Sequence, residues 1–126
     1  AMPRRERVLA IALHGESRVA TGGSGTCVRV WDVSSGSPVL EWESSESHQS
    51  SVYTVSFSKG GSWLASGDGQ GVVLVADSNT GSLVRRLQEH NMPVRSVAFS
   101  PDGGAFASGG VDGTVKVWDV EDLDLR

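Results

Sequence analysis

A segment of about 42 residues occurs twice in this chain and a third time in degraded form. Residues 90–120 read HNMPVRSVAFSPDGGAFASGGVDGTVKVWDV, and residues 48–78 read HQSSVYTVSFSKGGSWLASGDGQGVVLVADS in the same register. Residues 8–33, VLAIALHGESRVATGGSGTCVRVWDV, match residues 48–78 at an offset of about 44 to 45 residues. A repeat of this period indicates stacked units that bury their apolar faces against one another. The functional question is therefore which surface the stacked units present.

The composition restricts the classes of partner. The chain has 126 residues, a formal net charge of −4 and a sequence pI of about 5.2. It lacks the positive field that supplies affinity for nucleic acid or anionic lipid, so we expect neither nucleic acid nor membrane as a partner. No apolar run has the length of a membrane span or a secretory leader. These features predict an intracellular, cytoplasmic protein, with the nucleus as an alternative.

Short stretches of alternating apolar residues, bounded by Gly, Ser, Asp and Pro, predict β-strands and no helix. The first two repeats contain four such stretches each and the last repeat contains three, which predicts eleven strands. A twelfth could come from RRER at 4–7 or from EDLDLR at 121–126. The 16 glycines are expected in turns, such as the hairpin turn at Asp112-Gly113. The lone Cys27 is expected to be a small buried hydrophobe.

The repeats divide the chain into residues 8–47, 48–89 and 90–126. Residues 1–7 are expected to hold a cloning scar, Ala1-Met2, and a possible outer strand. We expect the whole to be an excised segment of a longer protein. The serine-rich stretch at 44–51 is interpreted as a solvated connecting loop.

These features together resemble the WD-repeat β-propeller family. The resemblance rests on Trp31-Asp32 and Trp118-Asp119, on the SPDG turn at 100–103, and on a His upstream of the second strand in the later repeats. In that family each repeat contributes a four-stranded sheet, called a blade, and the blades stand radially around a channel. The resemblance implies an all-β fold of three four-stranded antiparallel blades, or half a propeller. Residues 64–103 have a weaker similarity to the WD-repeat subunit of superkiller RNA-decay complexes.

The family also implies a buried polar network beneath one end of each blade. In the third repeat His90 would bond to Asp112 and to Ser108, and Ser108 would accept from the indole N–H of Trp118. The second repeat keeps His48 and Ser66 but has Gln70 and Ala76 at the Asp and Trp positions, and the first has Thr21 and Trp31 with Gly25 for the Asp and no upstream His. We therefore expect the third blade to be the best ordered and the second to be looser around Ala76.

Catalytic interpretations of the same residues are weaker. A Ser, a His and an Asp within one repeat could form a hydrolytic triad, but the structural network explains them together with the Trp. His14, His48 and His90 lack the short spacings of metal ligands, so neither a metal nor a cofactor is expected. Residues 67–71, GDGQG, precede a predicted strand and not the helix that a phosphate-binding loop requires.

The family resemblance places a protein-binding face where the outer strand of one blade leads into the innermost strand of the next. Tyr53, Arg95 and Arg7 are the residue types there that most often carry binding energy at protein interfaces. A solvated channel mouth without a partner is the alternative. By position, the predicted face comprises Arg7, Leu9 and Ser24 in the first blade, Ser51, Tyr53 and Gly69 in the second, and Pro93, Arg95 and Val111 in the third.

Three blades are too few to close a ring, since closed propellers have about four to eight. The ring would be completed either by a second copy, giving a homodimer, or by the remaining blades of a larger chain. Two functions follow: a non-enzymatic scaffold for protein–protein interaction whose partner is unknown, or a structural, self-assembling half-propeller.

Overall fold

The computed structural model describes residues 7–44, 48–88 and 90–119. Within these ranges the chain forms eleven β-strands and a single 3-10 turn at Lys59–Gly61, so the predicted strand number is confirmed. The strands are β1 (Val8–His14), β2 (Arg18–Gly23), β3 (Val28–Asp32), β4 (Val39–Glu43), β5 (Val52–Phe57), β6 (Trp63–Asp68), β7 (Val73–Asp77), β8 (Leu83–Leu87), β9 (Val94–Phe99), β10 (Ala105–Gly110) and β11 (Val115–Asp119).

The strands form three antiparallel sheets in chain order. Blade 1 contains β1 to β4, blade 2 contains β5 to β8, and blade 3 contains β9 to β11. Within each blade, every strand pairs with its neighbours in sequence, as tight hairpins require. The all-β architecture of antiparallel blades that the family resemblance implies is confirmed. The fourth strand expected for blade 3 was placed in residues 4–7 or 121–126, which lie outside the described residues apart from Arg7.

Two apolar layers hold the blades together. The first lies between blades 1 and 2 and includes the buried residues Ala20, Val28, Val30, Val52, Val55 and Leu64. The second lies between blades 2 and 3 and includes the buried residues Ala65, Val73, Val75, Val94, Val97 and Phe106. Blade 2 is thus covered on both faces, whereas blades 1 and 3 are each covered on one. Cys27, expected to be buried, is half-buried because it lies on the uncovered face of blade 1.

The inner strands β1, β5 and β9 lie side by side. A hydrogen bond of 3.1 Å from the Val97 backbone N–H to the Thr54 hydroxyl joins β9 to β5 inside this contact. Two glycines allow the close approach, because a Cβ on Gly22 would lie 2.5 Å from Val52 Cγ1 and one on Gly67 would lie 2.6 Å from Val94 Cγ1. The two glycines occupy the same position in successive repeats.

A polar cluster around the Ser78 carbonyl joins blades 1 and 2. The buried Ser78 carbonyl accepts from the indole N–H of Trp42 at 2.7 Å and from the Arg18 guanidinium. Trp42 also lies beside Ala76 and against Gly81, where an added Cβ would come within 2.6 Å of the indole ring. Only about 10 Å³ of free space remains at this place. The expected looseness around Ala76 is therefore absent, since a tryptophan from the neighbouring blade fills the space.

Candidate protein-binding face

Each inner strand contains a β-bulge close to its start, and in each blade the extra residue is one of the predicted face residues. In blade 1, Val8 pairs with Gly23 and Ala10 with Gly22, so Leu9 has no partner across the sheet. Tyr53 is skipped in the same way between β5 and β6, and Arg95 between β9 and β10. A bulge redirects its side chain away from the regular alternation of the strand. The fold therefore gives Leu9, Tyr53 and Arg95 equivalent positions at one end of the three blades.

The other predicted face residues lie in pairs beside these bulges. Ser24 and Arg7 exchange two hydrogen bonds, from Ser24 N–H to the Arg7 carbonyl at 3.0 Å and from Arg7 N–H to the Ser24 hydroxyl at 2.8 Å. The equivalent backbone bonds are Gly69 to Ser51 at 3.1 Å and Val111 to Pro93 at 2.9 Å. In each blade a backbone hydrogen bond thus joins the turn between the second and third strands to the residue that precedes the inner strand. All nine predicted residues lie at this end of the sheets.

Tyr53 and Arg95 contact each other across the boundary between blades 2 and 3. The Arg95 guanidinium carbon lies 5.8 Å from the centroid of the Tyr53 ring, a distance at which a cation and an aromatic face attract. Gly69 makes room for the ring, because a Cβ there would lie 3.2 Å from Tyr53 Cε2 and 3.0 Å from the Ser50 hydroxyl. No carboxylate of the described residues forms an ion pair with Arg95.

A buried polar network lies beneath the face in blade 2. His48 Nδ1 lies 2.8 Å from Asp68 Oδ2, and His48 Nε2 lies 2.6 Å from the Ser66 hydroxyl. The second oxygen of Asp68 accepts from the backbone N–H groups of Gln70 at 2.8 Å and Val72 at 3.1 Å. Burial lowers the pKa of His48, and the neighbouring Asp68 carboxylate only partly opposes this shift. His48 is thus a neutral imidazole that donates to Asp68 and accepts from Ser66.

The network of blade 3 differs from the expected one in two contacts. His90 Nε2 lies 2.7 Å from the Ser108 hydroxyl, as expected, but His90 Nδ1 contacts the Thr114 hydroxyl at 3.0 Å and lies 3.9 Å from Asp112 Oδ1. Thr114 connects the two, because its hydroxyl donates to Asp112 at 2.6 Å. Hydrogen bonds from the Thr114 hydroxyl and backbone lower the pKa of Asp112. The carboxylate stays at the surface and acts on His90 through Thr114.

The expected bond from Trp118 to Ser108 is the second difference. Among the described contacts the Trp118 indole N–H makes no hydrogen bond to Ser108, and the ring stacks on Phe106 with centroids 5.4 Å apart. The corresponding bond exists in blade 1, where the Trp31 indole N–H donates to the Thr21 hydroxyl at 3.1 Å. Blade 2 therefore has the most completely buried network, although the third repeat matches the family pattern best.

Asp68 and Thr114 are the site residues that sequence reasoning missed. Asp68 stands two positions before Gln70, the residue aligned with Asp112, so a strict repeat register assigns it no role. Thr114 follows Asp112 by two residues, a spacing at which an Asp side chain bonds the backbone of the same turn. That spacing is the signal that could have identified Thr114.

Ser66, His48 and Asp68 reproduce the connections of a hydrolytic triad, with the imidazole between a hydroxyl and a carboxylate. All three side chains are buried, and Asp68 is held by the hairpin backbone. A nucleophilic serine must reach a substrate carbonyl, and a buried hydroxyl cannot do so. The geometry therefore favours a structural role for these residues.

Two further searches covered the described ranges. Among residues 7–44, 48–88 and 90–119, no three His, Cys, Asp or Glu side chains cluster as metal ligands do. In the same part of the chain, no helix has both the length and the apolar character needed to cross a membrane.

Comparison with known proteins agrees with the blade architecture. The WD domain, G-beta repeat family (WD40) matches residues 38–77 and again residues 81–119, each match running from an outer strand through the first three strands of the next blade. The crystal structure of Saccharomyces cerevisiae Sqt1 is similar, with a TM-score of 0.80 and 27% sequence identity over 91% of this chain. This chain spans 31% of that structure. No curated protein matches the sequence. Because the family's repeats match more than half of its residues, the chain belongs to the WD domain, G-beta repeat family.

Proposed function

We propose that this chain is a non-enzymatic scaffold that binds another protein through one end of its blades, the end that carries the β-bulges at Leu9, Tyr53 and Arg95. Membership of the WD-repeat family supports a propeller that works by protein interaction. The contact residues proposed are the nine that meet at this end, with Tyr53 and Arg95 at the centre and Arg7 as a further cation.

The observation that carries the proposal is the contact between Tyr53 and Arg95 on two adjacent β-bulges. Each bulge moves its side chain out of the strand alternation, and the two side chains meet over the boundary of blades 2 and 3. Tyrosine and arginine are enriched among residues that dominate binding energy at protein interfaces. The stacked guanidinium is already oriented, so a partner carboxylate would bind it with little loss of side-chain freedom.

The surroundings of this pair suggest the chemistry of the partner. Met92 and Val111 are exposed apolar side chains at the same end of blade 3. Met92 precedes Arg95 by three residues, and the Val111 backbone N–H donates to the Pro93 carbonyl. A segment that combines a carboxylate with an apolar side chain would complement both features. The burial of the Ser–His–Asp arrangement in blade 2 supports the absence of hydrolytic chemistry.

The test is a comparison of bound proteins between the wild-type chain and the Tyr53→Ala, Arg95→Ala double variant. Both are immobilised, exposed to lysate and analysed by quantitative mass spectrometry. We expect a subset of bound proteins to be lost from the double variant and kept by Arg86→Ala, which removes an exposed arginine from the outer strand β8. Circular dichroism and urea unfolding verify that each variant is folded. Identical sets of bound proteins on all three chains would contradict the proposal.

A further inference from the structure

The turn that joins β6 to β7, residues 69–72, contacts the chain segments that carry Tyr53 and Arg95. We call it the blade 2 turn, and we call Tyr53 and Arg95 the face pair. Gly69 is the first residue of the turn, and a Cβ built on it would lie 3.2 Å from Tyr53 Cε2. The tyrosine ring therefore rests directly against the backbone of the turn.

The Gly69 backbone N–H also attaches the turn to the start of blade 2. It donates to the Ser50 hydroxyl at 2.8 Å and to the Ser51 carbonyl at 3.1 Å. Both acceptors lie shortly before Tyr53 in the sequence. One glycine thus contacts the Tyr53 ring and the backbone that leads to it, so a shift of the turn would be transmitted to the tyrosine.

Gly71 attaches the same turn to blade 3. Its φ of 89° is a left-handed conformation that favours glycine. A Cβ there would collide with the His90 carbonyl oxygen and lie 3.1 Å from the Met92 carbonyl oxygen. The turn therefore packs on the backbone of residues 90–92, which leads into the β-bulge at Arg95. Both members of the face pair are thus approached by one turn.

A buried carboxylate holds the blade 2 turn from the inside. Asp68 is 1% exposed, and one of its oxygens accepts from the backbone N–H groups of Gln70 and Val72 at 2.8 and 3.1 Å. Its other oxygen lies 2.8 Å from His48 Nδ1. The carboxylate therefore bonds the turn to the imidazole. Water does not replace an acceptor that is buried in this way, so the turn depends on Asp68 for its conformation.

The equivalent turn of blade 3 is held from the outside. Gly110 occupies the repeat position of Asp68, and the turn is bonded by Asp112, whose carboxylate is partly exposed and accepts from the backbone and hydroxyl of Thr114. Water can take over part of that role. The two turns therefore differ in how firmly a carboxylate fixes them, although they occupy equivalent places in their blades.

We propose that Asp68 and His48 position the face pair through the blade 2 turn. Asp68 is then a positioning residue of the proposed binding face, because it acts through Gly69 and Gly71 and does not itself contact a partner. Its consequence for binding rests on the proposed function. The positioning can be measured without a partner, so the two proposals can fail separately.

The test uses the fact that Tyr53 is the only tyrosine of the chain. Labelling with fluorotyrosine therefore gives a fluorine NMR signal from this ring alone. Arg95→Ala removes the guanidinium that stacks on the ring and provides the reference position of an unstacked tyrosine. We expect Asp68→Ala to move the signal from its wild-type position toward that reference.

Asp68→Asn is the conservative variant that should rescue the signal. The amide oxygen of asparagine can accept from Gln70 and Val72, while its NH₂ group donates to the other tautomer of His48. Every bond of the network is then kept without the charge. We expect the wild-type signal in this variant.

Arg18→Met is the control for a general loss of stability. Arg18 belongs to the polar cluster around the Ser78 carbonyl, so its replacement should leave the Tyr53 signal in place. A signal that moves as far in Arg18→Met as in Asp68→Ala would show that any destabilisation frees the ring, and it would overturn the proposal.

Two milder variants apply if Asp68→Ala does not fold. Gly69→Ala adds a methyl group against the Tyr53 ring, and Ser50→Ala removes one acceptor of the Gly69 N–H while the Ser51 carbonyl remains. Both are expected to move the signal. A wild-type signal in a folded Asp68→Ala chain, or in both of the milder variants, would overturn the proposal.

Binding provides the second measurement. In the comparison of immobilised chains, Asp68→Ala should lose the same bound proteins as the Tyr53→Ala, Arg95→Ala double variant, and Asp68→Asn should keep them. If the double variant loses no bound protein, the proposed function fails, and the fluorine signals still decide whether Asp68 positions the ring. If Asp68→Ala keeps the proteins that the double variant loses, its role in binding is overturned.

Discussion

The imidazole of His48 lies 2.8 Å from the carboxylate of Asp68, and both side chains are almost completely withdrawn from solvent. The Asp68 carboxylate accepts three hydrogen bonds, from His48 and from the backbone N–H groups of Gln70 and Val72. Replacing Asp68 by Ala leaves these donors buried without an acceptor, and each such group costs about 1 to 3 kcal/mol. We expect Asp68→Ala to lower the free energy of unfolding by about 3 kcal/mol, measured by urea denaturation.

Asp112→Ala is the matched control for that prediction. Asp112 belongs to the corresponding hairpin of blade 3, but its carboxylate is partly exposed and its bonds go to Thr114 alone. Water can replace it, so we expect a loss of about 1 kcal/mol. Equal losses for the two variants would contradict the greater role assigned to Asp68.

The stability of the fold should decrease as the pH falls below about 6.5. The pKa of His48 is lowered in the folded chain, whereas in the unfolded chain it has the ordinary value of 6.5. Below that value the unfolded chain binds a proton that the native imidazole does not, so protonation favours unfolding by up to about 1.4 kcal/mol per pH unit. Urea unfolding at pH 7.5 and 5.5 measures the effect. His48→Gln should show a smaller decrease, and an unchanged decrease in that variant would contradict the assignment.

The repeat predicted the strands and their order, because both depend on patterns within one unit. The bulges at Leu9, Tyr53 and Arg95 were not predicted as bulges, since an extra residue in one strand becomes visible only when its pairing partner is known. The role of Asp68 was not predicted for a similar reason. Its carboxylate contacts His48, although Asp68 lies two residues before Gln70, the position that aligns with Asp112. The repeat register identifies equivalent positions in the sequence, but a side chain at a different position can occupy the same place in the structure.

Contacts between blades were the least predictable part of the fold. Trp42, assigned only to a connecting strand, fills the space beside Ala76 of the next blade and donates to the Ser78 carbonyl. Nothing in the repeat indicates this contact, because the third repeat has its own Trp118 at the position of Ala76. Trp42 of the first repeat compensates for the small side chain of Ala76 in the second. Alignment of one repeat with another cannot reveal a contact between two different repeats.

Arg18 is predicted to contribute more to stability than Arg29, the other arginine of blade 1 that forms an ion pair with a glutamate of β4. Its guanidinium donates to Ser78 of blade 2, lies 3.4 Å from Glu41 and stands over the Phe57 ring at 5.6 Å. Arg18→Met keeps the apolar stem but leaves the buried Ser78 groups with fewer donors, and we expect a loss of about 2 kcal/mol in urea unfolding. Arg29→Met, which breaks the more exposed pair with Glu43 at 2.6 Å, should cost less than about 1 kcal/mol. Similar losses for both variants would show that Arg18 does not link the blades.

Gly67→Ala should destabilise the junction between blades 2 and 3 although alanine is the better residue for a strand. The new methyl group would lie 2.6 Å from Val94 Cγ1 and 3.0 Å from Thr54 Cγ2, both on inner strands that cannot separate without disturbing the apolar layer. Overpacking of this kind costs about 1 to 3 kcal/mol, which exceeds the 0.4 to 1 kcal/mol that the reduced freedom of the unfolded chain contributes. The control is Gly109→Ala. There the methyl group meets nothing within 4 Å, and stability should stay within about 0.5 kcal/mol of the parent. A Gly67→Ala chain as stable as its parent would mean that the blades can move apart at this point, and that the two glycines are not required for close packing.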